Sequence, residues 1–359
     1  MGKKFFFILF LLVSECICRN IYAFELFLDF RGASFDEITK KIEELKNSGI
    51  HIKRILLDHP FEESESPEFV YDYKIPESKE WMWSLITNLE KEGIEVYFYL
   101  NIFAVPRFFN RKIWQSEDFT LDSLYYLSNY YIISLESENT LRKLKNIFEV
   151  ILSFSSNWVI DLREVFDNRI YLNFLKNQAN DRLIYFIDVD ENTTLNSKGE
   201  NFICSENYWM LRKKFFLPHR SSILNLSNYK NSGYINFIES ETTSVNGIAT
   251  ILFLLAKNEK VLIPYSILNG SLIKILSIMA RDKFKILLYS NEKMLLQSEK
   301  GLILVNLGES FDIIKFSQNN FKPSKKICFS EIGGGFASFG GNDVELFLFP
   351  NSISCFSEF

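Results

Sequence analysis

From residue 24 onward, short apolar runs alternate with amphipathic helical stretches, and this alternation leaves few folds open. Residues 24–30 (Phe-Glu-Leu-Phe-Leu-Asp-Phe) read as a strand. Residues 35–47 carry Phe35, Ile38, Ile42 and Leu45 at helical spacing with charges between them. Gly49 predicts the end of that helix, and 52–57 the next strand. The same order recurs as helix 79–92, Gly93 and strand 94–100, then helix 140–154 and strand 158–162, then helix 171–178 and strand 183–189. Consecutive strands joined by single helices must run parallel, because a parallel partner is reached only through a crossover. Five such units before residue 190 predict either a doubly wound sheet or an eightfold α/β barrel. Strand 234–238, helix 247–256, strand 261–264 and helix 272–281 continue the series and favour the barrel.

Past residue 285 the texture changes. Residues 285–289, 294–297, 302–306, 311–316 and 344–349 are short apolar runs separated by Gly, Asn and Ser turns, the pattern of a small antiparallel β-sandwich. Gly333-Gly334-Gly335 has no helix after it and reads as a turn. The expected organisation is a (β/α)8 TIM barrel over 24–281 followed by a sandwich over 282–359, packed without a flexible linker. No sizeable domain fits between the third strand and the next helix. Hydrophobic residues make up 47% of the 359, enough for a large core, which excludes a disordered chain. A net charge of −5 with three histidines offers no basic face to nucleic acid.

The first 23 residues read as an address. Lys3 and Lys4 precede the apolar run Phe5 to Val13, too short to span a bilayer, and Ile21-Tyr22-Ala23 forms a passable cleavage site. This predicts a signal peptide over 1–23, export, and no stable membrane span once it is removed, with an uncleaved anchor as the rival. Glu15 before Cys16 is wrong for lipid attachment. Cys204, Cys328 and Cys355 then remain, an odd number at wide spacing, which reads as buried thiols, or one Cys328–Cys355 bridge, rather than a zinc site. No P-loop, dinucleotide fingerprint, zinc-protease or Gly-x-Ser-x-Gly motif occurs, so no cofactor is expected.

Several local stretches match one known family in order and spacing. Residues 56–76 run Leu-Leu-Asp-His-Pro to Val-Tyr-Asp-Tyr-Lys-Ile-Pro; 91–96 read Lys-Glu-Gly-Ile-Glu-Val; 215–221 read Phe-Phe-Leu-Pro-His-Arg-Ser. Residues 235–239 read Ile-Asn-Phe-Ile-Glu, 261–265 Val-Leu-Ile-Pro-Tyr, and 301–307 Gly-Leu-Ile-Leu-Val-Asn-Leu. Together they resemble the second, third, sixth, seventh and eighth strand regions and the C-terminal sandwich of the α-amylase family of glycoside hydrolases. The resemblance implies retaining hydrolysis of α-glucosidic bonds by a carboxylate nucleophile and a carboxylic acid about 5 Å apart.

The family's nucleophile motif, Gly-Phe-Arg-x-Asp, aligns with Asn157-Trp158-Val159-Ile160-Asp161, so Asp161 takes the nucleophile's place. Val159 stands where the arginine should be, which implies a carboxylate without its charge partner, unless Arg163 or Arg169 reaches it from elsewhere. The general acid falls on Asp188, one methylene shorter than glutamate, at a cost on the order of a hundredfold in rate. The third carboxylate's position holds Thr242, with Glu241 one residue away, and the family's strand-three aspartate aligns with Tyr99. His59, Tyr71 and Tyr73 fall where the mouth of the barrel would bind sugar, and Trp114 and Trp209 are candidates for its lining. Each residue also has a plainer reading: Asp161 as a helix cap, His59 as a turn residue, the aromatics as rim packing. Asp188, Asp190 and Glu191 read equally as a solvated exit or a calcium ligand set. Three functions therefore stand open: an exported α-glucan hydrolase with weakened activity, an inactive amylase-like barrel that binds carbohydrate or protein, and a barrel of another hydrolase family sharing only architecture.

Overall fold

The computed structural model of the protein describes residues 24–61, 80–107, 114–121, 124, 130–165, 168–178, 183–187, 202–204, 235–237, 245–289, 293–299, 301–317, 329–332, 335–340 and 343–357. In chain order the first region contains β1 (Leu26–Asp29), α1 (Phe35–Asn47), β2 (Ile52–Asp58), α2 (Trp81–Lys91), β3 (Glu95–Leu100), β4 (Ala104–Pro106) and β5 (Tyr130–Ile132). It continues with α3 (Glu138–Phe154), β6 (Trp158–Asp161), α4 (Asn168–Gln178), β7 (Ile184–Ile187), β8 (Phe202–Cys204), β9 (Ile235–Phe237), α5 (Val245–Ala256), β10 (Lys260–Pro264) and α6 (Gly270–Arg281). Strands β1, β2, β3, β6, β7, β8, β9 and β10 close into a barrel, every neighbouring pair parallel and β10 returning to β1. Of the two parallel architectures the sequence allows, the closed barrel is the one formed. Strands β4 and β5 pair as a two-stranded antiparallel sheet after the third barrel strand.

Local chemistry accounts for the helix bounds. Ser34 caps α1: its hydroxyl accepts from the Glu37 N–H, and the Glu37 carboxylate accepts the Ser34 N–H at 2.8 Å. These hydrogen bonds hold the Glu37 carboxyl below the usual carboxylate range, the Ser34 backbone N–H being the largest cause. Gly49 and Gly93, at φ +73° and +78°, turn the chain out of α1 and α2 in the left-handed conformation that suits glycine. The inner face of α1 buries Ile38, Ile42 and Leu45, each contributing about 1.5–3 kcal/mol relative to exposure.

Alternation along the strands divides the barrel into two layers. Phe27, Leu56, Tyr97, Val159, Ile184, Phe186, Ile235 and Leu262 pack together in the lumen, with Tyr99 against them. The intervening residues, among them Leu26, Leu28, Ile55, Leu57, Val96, Phe98, Trp158 and Ile160, pack outward with the helices. Followed one step further toward the strands' carboxyl ends, the lumen series gives Asp29, Asp58, Tyr99 and Asp161.

The second region comprises β11 (Lys285–Tyr289), β12 (Lys293–Gln297), β13 (Gly301–Asn306), β14 (Asp312–Ser317), β15 (Phe329–Ile332), β16 (Gly335–Gly340), β17 (Asp343–Leu348) and β18 (Ser352–Ser357). They form a five-stranded sheet, β11-β12-β13-β18-β15, and a three-stranded sheet, β14-β17-β16. Strand β13 is buried along its whole length, and alternation explains why. Leu302 and Leu304 join Leu346, Leu348 and Phe356 between the sheets. Ile303 and Val305, with Met294, Leu296, Ile353 and Cys355, join the barrel's own core. Cys355 is a free, buried thiol whose pKa burial pushes up; Cys328 lies outside the described residues.

The two regions meet closely at Gly301. A Cβ there would lie 2.7 Å from the Phe284 ring, 3.2 Å from Ser298 Oγ and 3.4 Å from Ile278 on α6. The Phe284 ring is itself buried and has little room to move. Gly301→Ala is therefore expected to destabilise the protein by about 1–3 kcal/mol, read as a lower urea midpoint. An unchanged midpoint would mean that the ring yields at no cost.

Candidate active site at the barrel mouth

Asp161 ends the fourth barrel strand and is 3% exposed. Its Oδ1 accepts the backbone N–H of Arg163 at 2.9 Å and Arg163 Nε at 3.0 Å; its Oδ2 accepts Nε at 3.1 Å and Nη2 at 2.6 Å. The Tyr99 hydroxyl on β3 donates to the same Oδ2. The Arg163 guanidinium lies 3.8 Å from the centroid of the Phe186 ring in the lumen.

This arrangement realises the alternative in which Arg163 takes the missing cation's place. The loss of arginine at Val159 does not leave Asp161 without a cation, because Arg163, two residues on, folds back over it. The strand stops at Asp161, the Leu162 N–H still bonds the Phe186 carbonyl of β7 at 2.7 Å, and the turn that follows brings the guanidinium onto the carboxylate. Burial tends to lower the Arg163 pKa, but the hydrogen bonds and charge of Asp161 outweigh it and hold the guanidinium firmly charged. The Tyr99 phenol is pushed up by burial, then by the Asp161 charge and hydrogen bond, so it remains a donor.

The first strand repeats the device. Arg31 donates to Asp29 through its backbone N–H at 3.1 Å, Nε at 2.9 and 3.1 Å, and Nη2 at 2.7 Å. The Phe30 N–H bonds the Leu56 carbonyl of β2 at 2.8 Å, as Leu162 does with Phe186. The Arg31 guanidinium sits 4.3 Å from the centroid of the Tyr99 ring. Asp58, ending the second strand, accepts the Gly32 N–H at 2.6 Å. Three carboxylates, two guanidiniums and one phenol thus stand at the carboxyl ends of strands one to four, the face on which barrels of this kind carry their sites.

Of the residues expected from sequence, the structure brings Asp161 and Tyr99 together. His59 lies elsewhere: its ring stacks on Phe61, centroids 6.2 Å apart, and Phe61 stacks in turn on Trp158 in the outward layer. Asp58, not His59, follows the lumen series at that strand end. Trp114 is buried beneath the cation of Lys143 and does not line the mouth. Asp188, Glu241, Thr242, Tyr71, Tyr73 and Trp209 lie outside the described residues, as do Asp190 and Glu191. Asp29, Arg31 and Asp58 escaped the sequence reading, which named Arg163 only as one of two cations that could reach Asp161. The signal that could have found two of the pairs is the tripeptide Asp-x-Arg, present at both strand ends as Asp29-Phe30-Arg31 and Asp161-Leu162-Arg163. Among the described residues no group of three or more His, Cys, Asp or Glu is placed to hold a metal ion.

A closed parallel barrel with acidic residues at its mouth and an antiparallel sandwich packed on its last helix defines the class of architecture. No family model matches the sequence, and a search of curated proteins matches none. Solved structures do match. They include a maltogenic α-amylase from Thermotoga neapolitana (TM-score 0.57, 12% identity, 95% of this chain and 100% of the other). A debranching enzyme from Nostoc punctiforme (TM-score 0.54, 12% identity, 94% and 98%) and a Geobacillus thermoleovorans α-amylase complexed with acarbose (TM-score 0.53, 11% identity, 94% and 99%) match along the same span. The chain has the fold of the α-amylases, at a sequence distance where fold is what the likeness establishes.

Proposed function

We propose that this protein is an exported, amylase-like glycoside hydrolase that acts on α-linked glucans or oligosaccharides with retention of configuration. One observation carries the reading: the carboxylate at the end of the fourth barrel strand is present, lumen-facing and held by a guanidinium and a phenol. In the proposed reaction an Asp161 oxygen attacks the anomeric carbon while Asp188 gives its proton to the departing glycosidic oxygen, leaving a glycosyl ester on Asp161. Asp188 then takes a proton from water, whose oxygen displaces Asp161 and restores the starting configuration. The Arg163 fork stabilises the carboxylate as leaving group in that second step. Neutral, hydroxyl-rich substrates suit a mouth whose carboxylates are already paired. Export rests on the pattern of residues 1–23.

A second reading is favoured by a specific feature. Both Asp161 oxygens are occupied, Oδ1 by two donors and Oδ2 by three, so a donor must give way before either can attack. A barrel that keeps this closure binds carbohydrate without cleaving it. The deciding experiment incubates purified protein with maltooligosaccharides and an aryl α-glucoside and follows product anomers by NMR. Release of the α-anomer is expected. Oligosaccharide binding by calorimetry without turnover would replace hydrolysis by the binding reading.

A further inference from the structure

We infer that Asp29 and Arg31, on the first barrel strand, are positioning residues for the Asp161 carboxylate, acting through the ring of Tyr99. The inference rests on Asp161 as the reacting group proposed above. The sheet order β1-β2-β3-β6 puts two strands between Asp29 and Asp161, yet a continuous series of contacts joins them. Asp29 grips Arg31 by Nε, Nη2 and its backbone N–H, which fixes both the place and the plane of the guanidinium. That plane rests on the Tyr99 ring, 4.3 Å from its centroid. The Tyr99 hydroxyl donates to Asp161 Oδ2, the oxygen that Arg163 Nη2 also holds.

The two Asp-x-Arg turns are built alike, and their difference assigns the roles. Each lays its guanidinium on an aromatic ring of the lumen: Arg163 on Phe186, Arg31 on Tyr99. Only the ring under Arg31 carries a hydroxyl, and that hydroxyl is bonded to Asp161. A phenol ring can pivot about its Cα–Cβ bond and swing the O–H away, whereas rotation about Cβ–Cγ leaves the hydroxyl oxygen on its axis. A cation clamped to its face restricts that pivot, and with it the direction from which Oδ2 receives its proton donor. Arg31 thereby sets which Asp161 lone pair stays covered and which can be released.

The test combines kinetics with unfolding. Arg31→Met removes the cation and keeps the stem, and Asp29→Asn loosens the clamp. Each is expected to lower kcat on an aryl α-glucoside about tenfold or more, with KM within about twofold, because positioning acts on the reacting geometry rather than on binding. Arg31→Lys, which keeps a cation over the ring, should recover part of the loss. In a Tyr99→Leu background Arg31→Met should cost nothing further. A second arm needs no turnover: a urea-unfolding cycle between Arg31→Met and Asp161→Asn should show coupling of about tenfold in the unfolding constant, or about 1.4 kcal/mol, which Tyr99→Leu abolishes. Additive effects in that cycle overturn the inference whatever the activity. Equal losses in kcat and rise in KM for Arg31→Met, unrelieved by lysine, overturn it as well. Absence of turnover by the parent instead defeats the hydrolase reading and leaves the unfolding cycle to decide the coupling.

Discussion

Asp161→Asn is expected to reduce turnover of an aryl α-glucoside by about a thousandfold or more, because a neutral amide is a poor nucleophile and the Arg163 fork then faces no charge. The amide also offers one acceptor oxygen where the fork, the Arg163 N–H and the Tyr99 hydroxyl address two. A stability loss of about 3 kcal/mol should accompany the kinetic loss, since the partner charge stays partly buried. Rates must therefore be taken on protein shown to be folded by circular dichroism. Asp188→Asn is the paired control. It should hardly affect an activated aryl glucoside, whose leaving group needs little protonation, and should suppress glucan cleavage. An Asp161→Asn protein that retains the parent's rate would remove Asp161 from the chemistry altogether.

Asp118→Ala should give the largest purely structural effect, a loss of about 3–5 kcal/mol in unfolding free energy. The Asp118 side chain is wholly buried in the turn Ser116–Asp118, which follows the third barrel strand. It accepts the Gln115 N–H at 2.8 Å, the Lys143 ammonium at 2.6 Å and the Thr140 hydroxyl, while its carbonyl accepts the Ser134 N–H at 2.7 Å. One carboxylate thus ties the excursion bearing β4 and β5 to α3, the helix that leads into β6 and Asp161. Burial raises its pKa, but the Gln115 N–H, Lys143 and Thr140 together outweigh burial and hold it below the ordinary 3.8. A carboxyl depressed in the folded state contributes stability at higher pH and loses it as pH falls through the folded value. The gap between parent and Asp118→Ala should therefore be full at neutral pH and narrow only below about pH 4, read from urea midpoints across pH 7 to 3. A gap independent of pH would mean that the lost packing, not the charge, carries the effect.

The order of elements was legible because each leaves a periodic trace. The three apolar residues of α1, spaced over two turns between Ser34 and Gly49, predict the observed helix Phe35–Asn47 at both ends. Strand β8 escaped because Phe202–Cys204 is three residues long, too short to show alternation; the sixth-strand resemblance pointed further along, to 215–221. Strands β15, β16 and β18 escaped because Gly, Ser and Glu break up their apolar pattern.

What the sequence alone determined was the strand-helix alternation, the change of texture near residue 285 and the carboxylate at the end of the fourth barrel strand. Which face of each strand looks into the lumen was not legible, because parallel barrel strands are buried on both sides and Leu26, Phe27 and Leu28 are equally apolar. Only closure of the barrel decided that Asp29, Asp58, Tyr99 and Asp161 share one end of one layer. Arg163 could be named beside Arg169 as a candidate cation for Asp161 but not chosen, for a related reason. Along an extended strand, residues two apart point the same way about 7 Å apart and their heads do not pair. The strand ends at Asp161, and the turn beyond it folds Arg163 back onto the carboxylate; a turn of that kind depends on the neighbouring strand that holds Leu162, which only the tertiary structure supplies.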